Sequence, residues 1–159
     1  MEVASGVIAV VSLSIQLVNI VKEANAFLSD IKNAPHEVSR LLDSLTQLEL
    51  ILGHANALIE QQYTSDSLHD SIECMGYALK RCEASMRKLD AMVKKIQASF
   101  GRQHWVQRKW ASLKAVLEKE DIERLRDDIH NDQAFLQTTL LVNMSRLQYS
   151  QRVPPSYPC

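Results

Sequence analysis

The chain has 159 residues and a formal net charge of −1, a size that fits one domain and a charge that by itself favours no class of partner. Its three cysteines exclude a disulfide framework, because Cys74 and Cys82 lie too far apart along a helix to pair and Cys159 is terminal. Such sparse cysteine usage suits a reducing cytosol. Only four glycines and four prolines occur, which predicts an all-α fold, an up-and-down helical bundle of about four to five helices.

The first predicted element is an apolar run from Val3 to Val21, nineteen residues without a charge. As a helix it is about 28 Å long, close to the roughly 30 Å hydrocarbon core of a bilayer. Glu2 precedes the run and Lys22 follows it, the reverse of the charge order in a secretory signal peptide. The run is therefore a membrane span or the central helix of a bundle. The candidate membrane-active residues are Val3, Val7, Ile8, Val10, Val11, Leu13, Ile15, Leu17, Val18, Ile20 and Val21.

Polar residues of this helix fall on a single heptad stripe. The stripe consists of Ser5, Ser12, Gln16, Asn19, Glu23 and Asp30. On insertion scales the apolar residues of the run contribute roughly −3 to −7 kcal/mol, from which the cost of the Ser, Gln and Asn side chains must be subtracted. Insertion into a bilayer is then marginal, and we expect it to depend on conditions.

Two long amphipathic helices are predicted next. The second helix should begin near Asn33 or Ala34, because Pro35 suits a first helical position and Glu37 favours the positive end of the helix dipole. Its bundle-facing positions are Val38, Leu41, Leu45, Leu48, Leu52, Ala55 and Ile59. The third helix, capped by Ser65 or Ser67, should run to Gly101. Its inward positions are Leu68, Ile72, Met75, Leu79, Cys82, Met86, Leu89, Val93, Ile96 and Phe100.

A shorter helix from about Gln103 and a last long helix complete the predicted bundle. The last helix has Ile122, Leu125, Ile129, Leu136, Leu140 and Leu147 on its inward side. Asp132 falls on the same side, so it is displaced by a local bend or makes a buried polar contact. The Pro-rich end cannot continue a helix. We therefore expect a bundle domain at residues 1–151 and a linker stub or disordered tail at 152–159.

The positive charge is concentrated in residues 87–114, which contain eight bases and one acid. Lys and Arg together with Trp are typical of segments that bind an anionic membrane surface. The candidate lipid-binding residues are Lys94, Lys95, Arg102, Trp105, Arg108, Lys109 and Lys114. Nucleic acid is disfavoured because both flanking segments are acidic. A solvated bundle exterior with Trp110 packed inward is the alternative.

Catalytic signatures are missing from the sequence. It contains no phosphate-binding loop, dinucleotide fingerprint, metalloprotease helix or nucleophile elbow, so we expect no enzyme and no cofactor. His69 with Glu73 and Cys74 offers too few ligands for a metal on one helical face. Cys74 and Cys82 are interpreted as small core residues rather than nucleophiles.

Several segments of the chain share their order and spacing with one known family. They are the apolar start at 1–10 and 13–18, the Leu-rich helix from Pro35 to Ile59, Trp110 and Lys114, and the segments 121–125 and 135–140. In these segments the chain resembles the HeLo-like domains that stand at the N-termini of fungal STAND (NLR-type) receptors. The resemblance covers nearly all of residues 1–150. It rests on the order and spacing of the segments rather than on any single motif.

This resemblance implies a cytoplasmic helical bundle whose N-terminal helix is released on oligomerisation and permeabilises the plasma membrane, causing cell death. It would make Val3 to Val21 the membrane-active helix. The implied partners are further copies of the chain and a fused or separate NLR-type receptor. Anionic membrane lipids as partners on activation are predicted from the charge pattern alone. The alternative is an oligomerisation or adaptor module in which the helix stays buried and an outer face binds a protein.

Overall fold

The computed structural model describes the backbone of residues 2–31, 34, 36–63, 69–98 and 118–152, and the side chains of 6–31, 34, 36–61, 72–98 and 118–149. Within these ranges every regular element is an α-helix. The helices are α1 (Glu2–Ser29), α2 (His36–Tyr63), α3 (His69–Ala98) and α4 (Lys119–Arg152). The all-α prediction is thus confirmed. The short helix predicted from Gln103 and the tail beyond Arg152 lie outside the described residues.

The four helices form a bundle in which α1 and α4 stand at opposite corners. Each of them packs against both α2 and α3, which occupy the other two corners and touch each other only slightly. Chain direction alternates from helix to helix. The Asn25 amide donates to the Glu49 carboxylate across the antiparallel α1–α2 pair at 3.0 Å, and Lys88 pairs with Asp128 across the antiparallel α3–α4 pair at 2.7 Å. The neighbours α1 and α3 run parallel, as do α2 and α4.

The bundle core contains the predicted stripes. On α2 the seven predicted inward residues are at most 1% exposed, and on α3 every predicted inward residue that is described is buried. On α4 the predicted inward residues are also buried, except Leu147, which is half-buried. A three-four alternation of apolar residues keeps one side of a helix facing its neighbours, and this explains why the sequence was sufficient to identify the core.

The position of α1 differs from the central helix that the apolar run suggested as one alternative. A central helix would contact all its neighbours, whereas α1 contacts α2 and α3 and leaves its outer side to solvent. The physical reason is that a four-helix bundle has corners but no axial helix, so each member retains an exposed side. The apolar character of α1 therefore exceeds what its packing in the bundle requires.

Candidate functional site

The outer side of α1 carries the polar stripe that the sequence predicted. Ser12, Gln16, Asn19, Glu23 and Asp30 are all exposed, while the Ser5 side chain lies outside the described residues. Apolar residues share this surface: Ile8 is 61% exposed and Ile15 is 47% exposed. The outer side of α1 is consequently a mixed surface of small polar and large apolar side chains.

The predicted membrane-active residues divide into three groups by burial. Val7, Leu17 and Val21 are buried in the bundle, and Ile8 and Ile15 are exposed. A third group is partly covered and consists of Val10, Val11, Leu13, Val18 and Ile20. The Val3 side chain lies outside the described residues. Within the described part of the chain one helical stretch, Gly6–Ser29, is long and apolar enough to cross a bilayer, and only 28% of its most apolar window is buried.

The two halves of α1 are held in the bundle very unequally. In the second half Leu17, Val21, Phe27 and Leu28 are 6% exposed or less. At about 1.5–3 kcal/mol for each buried side chain, these four contribute about 6–12 kcal/mol before the entropy cost of ordering the helix is subtracted. In the first half Val7 is the large apolar residue that is buried to the same extent, and Val10, Val11 and Leu13 are partly buried. Detaching the first half would thus expose less buried apolar surface than detaching the second half.

Ser14 weakens the first half further. Its hydroxyl is fully buried, and it has no hydrogen-bond partner in the described part of the structure. A buried hydroxyl without a partner costs about 1–3 kcal/mol relative to its hydrated state. Ser14 was not predicted as a site residue from the sequence, because it does not lie on the exposed polar stripe. Its spacing could have indicated its burial, because Ser14 stands three residues before Leu17 and seven before Val21, on the same side of the helix as these two buried residues.

The first half of α1 packs closely on α3 where Val10 lies against Gly76. A Cβ atom added at Gly76 would lie 2.8 Å from Val10 Cγ2 and 4.0 Å from Val10 Cβ. The absence of a side chain at Gly76 therefore lets α1 pack directly on the α3 backbone. The sequence analysis did not select Gly76, although a glycine within a strong helical pattern is a signal of close packing when it is not near a helix end.

Two grooves with mostly apolar linings flank α2. One lies between α1 and α2, has a volume of ≈ 480 Å³ and is lined by Val7, Ile8, Val11, Ser12, Ile15 and Glu60. The other lies between α2 and α4 and has a volume of ≈ 590 Å³. Its lining residues are Ile51, His54, Ala57, Leu58, Gln61, Gln137, Leu140, Leu141 and Met144. Leu141 is 66% exposed and Met144 is 49% exposed, so this second groove is open to solvent.

The described part of the basic segment that contains Lys94 and Lys95 lies toward the other end of the bundle from the first turns of α1. Lys94 and Lys95 are exposed near the end of α3, while the predicted Arg102, Trp105, Arg108, Lys109 and Lys114 lie outside the described residues. Since Val10 contacts Gly76, the eighteen residues from there to Lys94 separate the two regions by about 27 Å along α3. Val10 and Lys94 are thus far apart, whereas Glu23, two residues beyond the predicted membrane-active run, is close enough to Lys94 to affect its pKa.

Lys94 is already engaged by neighbouring carboxylates. Its ammonium group donates to Asp90 at 2.7 Å, one helical turn away. This hydrogen bond and the charge of Asp90 raise the pKa of Lys94, and the carboxylate of Glu23 on α1 adds to the effect. An exposed pair one helical turn apart is weak because solvent screens the two charges, so anionic-lipid binding by Lys94 stays a prediction.

A polar cluster interrupts the apolar interface between α3 and α4. Asp132 is 5% exposed and accepts a hydrogen bond from Ser85, and its Oδ1 lies 3.8 Å from Arg81 Nε. Asp132 Oδ2 has no hydrogen-bond partner in the described part of the structure. Burial raises the pKa of Asp132, and Ser85 and Arg81 oppose this rise only in part. Of the two alternatives that the sequence left open for Asp132, the structure confirms the buried polar contact.

The cysteines give one confirmation and one correction. Cys82 is fully buried, and burial raises the pKa of its thiol to about 12, so it is a neutral core residue as predicted. Cys74 is exposed, so its assignment to the core was wrong. The four-residue helical repeat explains the error, because Cys74 stands beside the inward Met75 and points away from the core. Among the described residues no group of three potential metal ligands is found.

Comparison with known proteins gives one match. The chain matches, over residues 1–153, the family described as the pigment biosynthesis cluster protein PigL N-terminal region. Searches of curated proteins and of solved structures found no match. The family match is compatible with the resemblance to HeLo-like domains but does not by itself establish it.

Proposed function

The chain belongs to the family of PigL N-terminal regions, and we propose that it is a membrane-targeting effector domain whose helix α1 permeabilises a bilayer when copies assemble. The resemblance to HeLo-like domains would place it in a fungal NLR-type immunity or incompatibility system, in which such permeabilisation kills the cell. In this proposal the domain is cytoplasmic at rest, is not an enzyme and moves to anionic lipid at the plasma membrane on activation.

The observation that carries the proposal is the excess apolar character of α1. The helix is long enough to cross a bilayer, yet most of its apolar window is not buried in the bundle. The core helix of a soluble protein passes the same test of length and composition, but its apolar surface is covered by neighbours. Exposed Ile8 and Ile15 have no such cover. An apolar surface that folding does not use is typical of a site for lipid or protein.

Permeabilisation would require a shift between two states. In the folded bundle α1 buries part of its surface against α2 and α3, and in the lipid-bound state the same surface faces acyl chains. The trigger must bind the second state more tightly than the first, since an equal affinity for both would shift nothing. Assembly of several copies supplies such a preference if it stabilises only the released state.

A second candidate function is an adaptor module that binds protein through an outer face. The groove between α2 and α4 favours it, because Leu141 and Met144 are exposed beside a cavity of ≈ 590 Å³ whose lining residues carry no carboxylate. An amphipathic helix of a partner would suit such a groove. This function makes no use of the exposed residues of α1.

A substitution that introduces a charge on the exposed side of α1 would distinguish the membrane function from the adaptor function. Ile8 is 61% exposed, so Ile8→Asp should leave folding unchanged. In a bilayer, by contrast, the Asp side chain adds about 2.5–3.5 kcal/mol to the free energy of insertion. The matched control is Leu50→Asp on α2, because Leu50 is 62% exposed. The assay is dye leakage from vesicles with and without anionic lipid.

We expect leakage from anionic vesicles to fall at least tenfold in the Ile8 variant and to be unchanged in the Leu50 control. Equal leakage from both variants would remove α1 from the mechanism and favour the adaptor function. Circular dichroism of the two variants should show the same helicity as the wild-type protein, which checks that neither charge acts through unfolding.

A further inference from the structure

The first half of α1 has fewer fully buried apolar side chains than the second half, although Val10 packs closely on Gly76 of α3. Residues 6–16 include one large apolar side chain that is buried, Val7, together with the unpartnered hydroxyl of Ser14. From Leu17 onward a buried apolar side chain returns on almost every turn. Asn25 adds a hydrogen bond to Glu49 at 3.0 Å. The boundary between the two halves lies at the turn from Ser14 to Leu17.

We propose that residues 2–16 of α1 leave the bundle as a separate arm that binds the lipid–water interface, while residues 17–29 stay docked. This inference rests on the proposed membrane function and narrows it to one part of α1. The bend lies at the turn that contains Ser14, because its buried hydroxyl without a hydrogen-bond partner lowers the stability of the docked helix at this point. The second half remains an integral part of the core.

The length of the arm determines how it binds lipid. Fifteen helical residues extend about 22 Å, which is short of the roughly 30 Å hydrocarbon core. An arm of this length cannot cross the bilayer alone. It therefore lies in the interface, with Val7 and Val10 toward the acyl chains and Ser12 and Gln16 toward the headgroups. The sides of the arm that face α2 and α3 in the bundle, together with the exposed Ile8 and Ile15 beside them, become the side that faces lipid.

Val10 and Gly76 provide a direct way to lock the arm. The added Cβ at Gly76 lies 4.0 Å from Val10 Cβ, within the range of about 3.5–4.5 Å between the Cβ atoms of a disulfide. Val10→Cys with Gly76→Cys, made in a Cys74→Ser and Cys159→Ser background, can thus be oxidised to join the arm to α3. The second half is locked in a separate variant, Asn25→Cys with Glu49→Cys, through a short bis-maleimide bridge.

The two locks should have opposite effects on leakage from anionic vesicles. Oxidation of the 10–76 pair should lower leakage at least tenfold, and reduction should restore it. The bridge between positions 25 and 49 should change leakage less than twofold. If the 25–49 bridge abolishes leakage, the whole helix leaves the bundle and the arm is refuted. If the oxidised 10–76 pair leaks like its reduced form, the first half does not detach and the inference fails.

Hydrogen exchange separates failure of the arm from failure of the proposed function. In solution without lipid, oxidation of the 10–76 pair should slow amide exchange in residues 7–14 at least tenfold and leave residues 17–28 unchanged. A wild-type protein that causes no leakage but shows this exchange pattern would overturn the membrane function and the lipid-binding role, while the opening of the arm stands. Equal protection of both halves in the reduced protein would refute the arm itself.

Discussion

Gly76→Ala should destabilise the bundle even though alanine is a better helix former than glycine. In a helix interior this exchange normally stabilises by about 0.8–1.0 kcal/mol. At Gly76 the new methyl carbon would lie 2.8 Å from Val10 Cγ2, closer than two carbon atoms can pack. Val10 has little freedom to move away, because a β-branched side chain in a helix has one strongly preferred rotamer. Overpacking of this kind costs about 1–3 kcal/mol, so the net effect is a loss of about 0–2 kcal/mol.

Gly53 is the matched control for this substitution. It lies within α2, it is exposed, and an added Cβ would meet nothing within 4 Å. Gly53→Ala should therefore stabilise the bundle by roughly the full helix-propensity difference of about 0.8–1.0 kcal/mol. The two glycine substitutions should differ in free energy of unfolding by about 1–3 kcal/mol, which corresponds to a difference in Tm of roughly 2–12 °C for a chain of this size.

The assay is urea unfolding followed by circular dichroism, combined with a double-mutant cycle. Val10→Ala removes the atoms that the new methyl group would meet, so Gly76→Ala should cost less in that background than in the wild-type protein. The coupling between the two sites should be about 1–3 kcal/mol. Strict additivity, or a stabilisation at Gly76 equal to that at Gly53, would show that α1 does not pack on the α3 backbone at this point.

Two further predictions concern the core and its pH dependence. Leu48→Asp should lower the free energy of unfolding, measured in urea, by at least about 4 kcal/mol, because Leu48 is fully buried and the new carboxylate would lack a partner. The control Leu50→Asp changes an exposed residue and should alter the free energy of unfolding by less than about 0.5 kcal/mol. Burial raises the pKa of Asp132 in the folded state above its ordinary value of 3.8, so the folded protein binds this proton more tightly than the unfolded chain does. The stability that the bound proton contributes is therefore lost as the pH rises above 3.8. Asp132→Asn removes this titration. The free energy of unfolding of the variant, relative to that of the wild-type protein, should therefore increase from pH 4 to pH 7 by at most about 1.4 kcal/mol per pH unit. Urea unfolding at each pH measures this difference. A constant difference across this range would show that Asp132 does not titrate as a buried group.

Part of the candidate site was readable from the sequence because it depends on local pattern. The exposed stripe of Ser12, Gln16 and Asn19 follows from helical periodicity alone, and so does the inward position of Asp132. Gly76 and Ser14 show the limit of that reasoning. Their roles depend on which atoms of another helix lie opposite, and a one-dimensional pattern contains no information about the partner of a helix face.

The all-α class, the buried stripes of α2, α3 and α4, and the apolar character of α1 could all be predicted from the sequence, since each depends on the spacing of residue types along one helix. The packing of the helices was needed to show that α1 occupies a corner, that its second half contributes more fully buried side chains than its first half, and that Val10 lies against Gly76. Periodicity identifies which side of a helix is apolar. How much of that side is covered depends on the number and the separation of the neighbouring helices, which only the assembled bundle sets.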